Sequence, residues 1–238
     1  MSRGKGVFVV VALLAIPFLR LHGQVSEPRP DGSLTGAEVF DRVVEANALR
    51  AAELESYRST RRYAVFEPGH EADAELKVAA QFVSPSTKIF RTMSANGVGW
   101  IHKRVFQGLM QAEQETVAGK EKLGSAISPA NYDAQLLGTE VYEGRDSYVL
   151  SLTPKRRDKY LFKGKVWIDS EDFAIAKIEG EPARSPSFWV VRAPFVRKYQ
   201  RIDRFWLPFR DETRSQIRFA GEYILRIDYG DYEISPRT

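Results

Sequence analysis

The sequence predicts an α+β fold, mainly antiparallel β: a curved, half-open (unclosed) β-barrel covered by helices. Apolar residues alternate with period two over most of the chain from Tyr57 to Ile234, the alternating stretches are separated by short turn sequences, and two segments alone carry helical spacing. Strands joined by short turns pair antiparallel. A sheet of this many strands cannot stay flat, so it curls, and the helices cover what it curls around.

The chain opens MSRGKG, continues with the apolar run Val7 to Ile16, and then reads PFLRLHGQ, the order of an export signal. The apolar run is too short for the ~20 residues that cross a bilayer, so residues 1–23 are read as a signal peptide cleaved after Gly23, which places the protein in the periplasm. Residues 24–34 are read as a flexible leader and residues 35–238 as a single domain. Removing residues 1–23 takes away Arg3, Lys5 and Arg20 and no acid, leaving 32 basic residues against 31 acidic. That balance excludes a nucleic-acid binder, whose affinity needs a cationic surplus. With no cysteine, the chain has neither a disulfide nor a lipid-modified N-terminal Cys.

Thr35-Gly36-Ala37-Glu38 is a capping box, and Leu34 with Val39 forms a hydrophobic staple. Behind it Val39, Phe40, Val43, Ala46 and Leu49 fall on one helical face. From Tyr57 the strands YRSTRRYAVF, AELKVAAQFV and TKIFRTM follow, with turns at Glu67-Pro68-Gly69 and Ser84-Pro85-Ser86. A second helix then spaces Ile101, Val105, Leu109 and Ala112 at helical intervals, widened by Trp100, Phe106 and Met110; Gly119 to Asn131 reads as a polar loop. The remainder alternates again: AQLLGTEVY, SYVLSLTP, YLFKGKVWI, FAIAKIEG, SFWVVRAPFVRKYQRI, FWLPFRDETRSQI and FAGEYILRIDYGDYEI.

The cluster Asp169-Ser170-Glu171-Asp172 lies between two of these strands. A calcium loop needs carboxylates at alternate positions and a glycine at the bend, which this stretch lacks; an acid/base pair needs a desolvated cleft, and a hairpin tip is expected to be exposed. It is read as a turn. In its flanks Phe162, Val166 and Ile168 share one side with Ala174, Ala176 and Ile178, while Trp167, Phe173 and Ile175 share the other. His22, His70 and His102 are too scattered for a zinc site, and no nucleophile-elbow, phosphate-loop or dinucleotide glycine pattern occurs. The chain is therefore expected to be neither an enzyme nor a cofactor protein.

Aromatic residues exceed what one sheet face requires. Each is either an ordinary core residue or part of the lining of an apolar cavity, for which Trp100, Phe106, Met110, Trp167, Ile175, Trp189, Trp206 and Tyr223 are the candidates; such a concave site takes a lipid or acyl chain. The basic loop TPKRRDKY, Thr153 to Tyr160, offers a surface for anionic headgroups or an acidic partner, or is a solvated connection. Charge on both faces of FVRKYQRI and FRDETRSQI disfavours an outer-membrane barrel.

The stretches KYLFKGKVWIDSEDFAIAKIEGEP, YDAQLLGTEVYEGRDSYVLSLTPKRRDKY and FWLPFRDETRSQIRFAGEYILRIDYGDYEI together resemble the LolA-like outer-membrane lipoprotein-sorting proteins, in a longer uncharacterised bacterial branch. The resemblance runs from Thr35 to Ile234 and is strongest from Val166 to Ile178. It implies a periplasmic half-open barrel with a helical lid, whose apolar interior shields lipoprotein acyl chains as a chaperone does, acting as a monomer between membrane-bound donor and acceptor proteins. The same fold also serves periplasmic sensors that bind lipid or lipoprotein and contact a membrane partner, and that regulatory role is the alternative.

Overall fold

The computed structural model describes residues 34–118, 124–185 and 187–237. The expected signal peptide, and the leader up to its last residue, lie outside them. Helix α1 (Gly36–Glu53) starts at the predicted cap: the Glu38 N–H donates to the Thr35 hydroxyl at 3.2 Å, and the Glu38 carboxylate accepts from the Thr35 N–H at 2.7 Å. Strands β1 (Leu54–Phe66), β2 (Ala72–Val83) and β3 (Thr87–Gly97) form the expected meander. Then α2 (Gly99–Ile101), a π-helical turn (His102–Phe106) and α3 (Gln107–Ala118) run on as one helical segment. Strands β4 (Tyr132–Tyr142), β5 (Arg145–Pro154), β6 (Phe162–Asp169), β7 (Ala174–Pro182), β8 (Val190–Arg192), β9 (Phe195–Ile202), β10 (Phe205–Ile217) and β11 (Gly221–Pro236) complete the chain. The stretch expected as one strand from 187 to 202 is broken at Ala193-Pro194, because a proline has no N–H for the ladder; β8 and β9 both pair with β10.

All eleven strands join one antiparallel sheet in the order β3-β2-β1-β11-β10-β9-β7-β6-β5-β4, with β8 alongside β10. The sheet is unclosed, as expected, with β3 and β4 as its two free edges. Register irregularities interrupt both edge pairings, at Lys77/Val78 opposite β3 and at Leu136/Gly138 in β4. Such bulges turn an edge away from further pairing. The segment α2–α3 leaves one edge, and the chain it leads into reaches the other.

The concave face is covered in two parts. Ile101, Val105, Phe106 and Leu109 of the helical segment pack with Tyr63, Val65, Leu76, Val78, Leu225 and Ile227. Val39, Phe40 and Val43 of α1 pack with Leu150, Leu152, Val166, Ile168 and Ile178 on the other half of the sheet. A third, smaller cluster holds Tyr57, Phe205 and Leu207. The convex face is solvated through cross-strand ion pairs between direct neighbours, among them Arg210 with Asp228 and Arg226 with Glu212.

Three local expectations differ from the structure. Leu49 is 62% exposed rather than on the buried stripe of α1, which ends at Val43; beyond it the half-buried Arg50 donates to the Asn47 side chain at 2.7 Å. The described part of the loop before β4 is not simply polar: Ala126 and Ile127 are buried, and Asn131 donates its amide to the Ala126 carbonyl at 2.9 Å. In β7 a bulge opposite Trp167/Ile168 reverses the alternation, so Ile175 pairs with Ile168 in the α1 cluster while Lys177 pairs with Trp167.

In the β6–β7 ladder Gly164 and Gly180 are directly paired, and a Cβ on Gly164 would run into the Glu179 carbonyl oxygen. Gly164→Ala should destabilise by about 1–3 kcal/mol. Gly108→Ala, in α3 with open space around its Cα, should stabilise by about 1 kcal/mol. Urea unfolding midpoints of the two variants check both signs.

Candidate functional site

The strand register carries one row of residues across the concave face: Val78, Arg61 and Tyr229 pair from β2 through β1 to β11; Ile227, Asp211 and Arg197 pair from β11 through β10 to β9; and Ile178, Val166, Leu150 and Leu136 continue to β4. The row is apolar at both ends and charged in the middle. Arg61, Arg197 and Asp211 are each 4% exposed or less, and Ser59, Thr213 and Ser215 are buried beside them.

Glu113 of α3 enters this belt from the helical side. Its two carboxylate oxygens accept from both terminal nitrogens of Arg61, at 2.7 and 3.1 Å, and Lys88 of β3 pairs with it as well. The Arg61 guanidinium lies against the rings of Tyr229 and Phe90, 4.8 and 5.1 Å from their centroids. Burial alone would push the Glu113 carboxyl up, but Arg61 and Lys88 outweigh it and hold the group down to about 2. Next to this network Arg197 donates to Asp211 at 2.8 Å, and the Tyr229 hydroxyl donates to the other Asp211 oxygen at 3.0 Å. Burial raises the Tyr63 phenol to about 12, so it stays neutral. The hydroxyls of Ser59 and Ser215 are buried without a hydrogen-bond partner.

The acidic cluster is a turn, as expected, but it is not an exposed tip. Asp169 is 1% exposed; its carboxylate accepts from the N–H groups of Glu171 and Asp172 and pairs with Arg145 of β5. Burial pushes its carboxyl up, but the pairing with Arg145 and those backbone N–H groups leave it lowered. Asp172 accepts from Trp206 of β10 and Arg201 of β9, both at 2.8 Å. Arg50 of α1 donates to the carbonyls of Asp172 and Phe173, at 2.7 and 3.1 Å. The turn therefore ties α1, β5, β9 and β10 together. No cluster of metal-ligating residues occurs among the described residues.

The eight aromatic and apolar residues expected to line one cavity are dispersed. Phe106 lies in the helical-segment cluster, with Met110 and Tyr223 packed against it. Ile175 lies in the α1 cluster. Trp167 sits on the opposite face from Val166 and Ile168, under the Lys177 ammonium at 4.2 Å and donating to Glu140 at 2.9 Å. Trp206 serves the acidic turn, Trp189 packs edge-on against Phe188 at 5.3 Å, and Trp100 is 54% exposed. The basic loop after β5 is fastened to the chain before β4: Arg156 donates to Asn131, and Lys155 to the Pro129 carbonyl at 2.7 Å. Among the described residues no helix is long and apolar enough to cross a membrane.

The charged belt was not singled out from the sequence, although its signal is there. Glu113 continues the Ile101, Val105, Leu109 stripe at the same interval, and Arg61 and Arg197 fall in phase with Tyr63 and Tyr199 on their strands.

A family model described as that of an uncharacterized protein matches residues 114–227. No curated protein matches the chain. Among solved structures it is similar to a LolA superfamily protein from Nitrosomonas europaea, at 16% identity and a TM-score of 0.41, over 87% of this chain and 96% of that one. It is similar to a DUF1329 family protein from Desulfovibrio piger, at 14% identity and a TM-score of 0.42, over 83% and 92%. A putative outer membrane lipoprotein-sorting protein domain from Vibrio parahaemolyticus gives 14% identity and a TM-score of 0.44, over 82% and 92%. The names LolA and lipoprotein-sorting protein, met above as a resemblance of the sequence, recur in two of these three structures.

Because the Glu113 carboxyl sits below its ordinary 4.5, its contribution to stability is complete above that value and lost as the pH falls toward 2. Glu113→Gln should cost about 3–5 kcal/mol at neutral pH and flatten the acid limb of the stability profile, read by urea titration at a series of pH values. At the acidic turn, Glu171→Ala should be silent, and Asp172→Ala should cost about 1–2 kcal/mol through the Trp206 and Arg201 hydrogen bonds, measured as a shift in thermal midpoint.

Proposed function

We propose that the protein is a periplasmic binding protein that holds the acyl chains of a lipid or lipoprotein on the concave face of its sheet and releases them to a membrane acceptor. The observation that carries this reading is the cover of that face. It consists of two helical pieces seated in separate apolar clusters, and one of them, α2–α3, is latched to β1 and β3 through Glu113.

A lid of this kind can exchange with a ligand. The face that Ile101, Val105, Phe106 and Leu109 present to the sheet is apolar, and an alkyl chain gives the same strands an equivalent partner at ~0.8 kcal/mol per buried methylene. What opposes lifting is the Glu113 network, since breaking it leaves charge in an apolar interior. The π-helical turn His102–Phe106 places a local irregularity at the sheet-facing side of the same segment. Phe106, Met110 and Tyr223 are the residues proposed to meet the chain. The unpartnered hydroxyls of Ser59 and Ser215 offer donors to an ester or amide carbonyl, which fits an amphipathic ligand better than a hydrocarbon.

Native mass spectrometry of the protein purified from its own envelope, with titration of a fluorescent fatty acid, tests the reading. The expected result is one acyl-bearing ligand per chain, displaced by the probe, with faster probe uptake in Glu113→Gln. An empty protein that shows no saturable probe binding overturns it, and an empty protein with a stable protein companion favours the regulatory alternative.

A further inference from the structure

Away from the concave face, two adjacent tips stand off one end of the sheet. Phe219, at the turn between β10 and β11, is 96% exposed and has a φ of 64°, a left-handed conformation that glycine or asparagine fills more easily. Phe188, before β8, is 73% exposed, and Val191 beside it is 51% exposed. The tips are joined: the Arg218 N–H donates to the Trp189 carbonyl at 2.9 Å, and Ile217 pairs with Val190. A turn position open to water selects for neither an aromatic ring nor a strained backbone, so folding alone does not account for phenylalanine there.

Acidic groups around the tips are engaged, among them Glu67 of the neighbouring β1–β2 turn, which accepts from the Tyr223 hydroxyl at 3.0 Å. Glu181 is engaged by Arg192, and Glu222 and Glu212 by Arg214, with Arg226 also on Glu212. Arg184 and Arg218 have no acidic partner among the described residues, and the Arg218 guanidinium lies 4.9 Å from the Phe188 ring centroid. This stacks a phosphate-binding group directly on an apolar ring, with a second ring and an indole alongside.

We propose that this end of the sheet, built from Phe188, Trp189, Val191, Arg218 and Phe219, docks on the surface of an anionic phospholipid membrane. The rings would sit at headgroup level while Arg184 and Arg218 meet lipid phosphates. The shape favours a membrane over a protein partner, because two projecting tips enter a deformable surface and present no groove for a peptide. The docking is independent of the acyl-chain reading and holds whether or not the interior is occupied.

A chain without cysteine allows a single reporter. Ala220→Cys carries an environment-sensitive fluorophore beside Phe219, and Thr139→Cys carries it on β4 as a control. The full chain is mixed with vesicles of phosphatidylglycerol and phosphatidylethanolamine, or of phosphatidylcholine alone. Emission at position 220 should rise and shift to the blue with the anionic vesicles only and weaken in high salt; the control should stay unchanged. Phe188→Ser with Phe219→Ser, or Arg218→Glu, should weaken the response about tenfold at unchanged circular dichroism. A response equal at both positions, equal with both vesicle types, or retained in the variants overturns the proposal. So does self-association through the tips without a vesicle response, which would assign the surface to a second copy of the chain.

Discussion

A carboxylate in an apolar interior stays ionised only when cations and hydrogen-bond donors surround it. Glu113 meets that requirement with Arg61 from one strand and Lys88 from another, so one side chain fixes where α3 rests against both β1 and β3. Arg61 in turn must be enclosed, and the rings of Phe90 and Tyr229 enclose it. Tyr229 then reaches Asp211, which holds Arg197. The concave face is organised outward from this chain of obligations. Apolar packing supplies most of the driving force, but the charges decide the register in which it happens.

The two helices solve the same problem in related ways. Each has an apolar stripe that ends in a charged residue directed at the sheet. In the α2–α3 segment the stripe of Ile101, Val105 and Leu109 ends in Glu113; in α1 the stripe of Val39, Phe40 and Val43 ends in Arg50, which finds the backbone carbonyls of the acidic turn. Packed apolar side chains permit a helix to slide or rotate by small amounts, whereas a directed hydrogen bond at the end of the stripe does not.

Much of the architecture was legible because it depends on local pattern. The cap at Thr35, the hairpin turns, and the two-residue period of β1, β2, β5, β6 and β10 all follow from neighbouring residues. What depends on pairing was less legible. The bulge in β7 moves Ile175 to the face opposite the one simple alternation gives it, and only the partner strand reveals that. Aromatic content alone did not give these residues' surroundings, since a tryptophan can be drawn to a ring-facing cation, as Trp167 is to Lys177, or to a carboxylate, as Trp206 is to Asp172. The buried charges were visible in phase with apolar neighbours, yet a charged residue on an apolar stripe gains meaning only once its counter-ion on a distant strand is known.

The pairing of β1 with β11 has a consequence in time. β1 cannot complete both of its ladders until β11, far along the chain, has formed, so one of its flanks stays open to solvent while the strands between them are made. Until then Arg61 and Tyr63 have one flank bare, and the meander of β1 to β3 is an incomplete half-sheet whose sequence-distant closure is slow. The unpaired β1 edge is open to mispairing until β11 arrives.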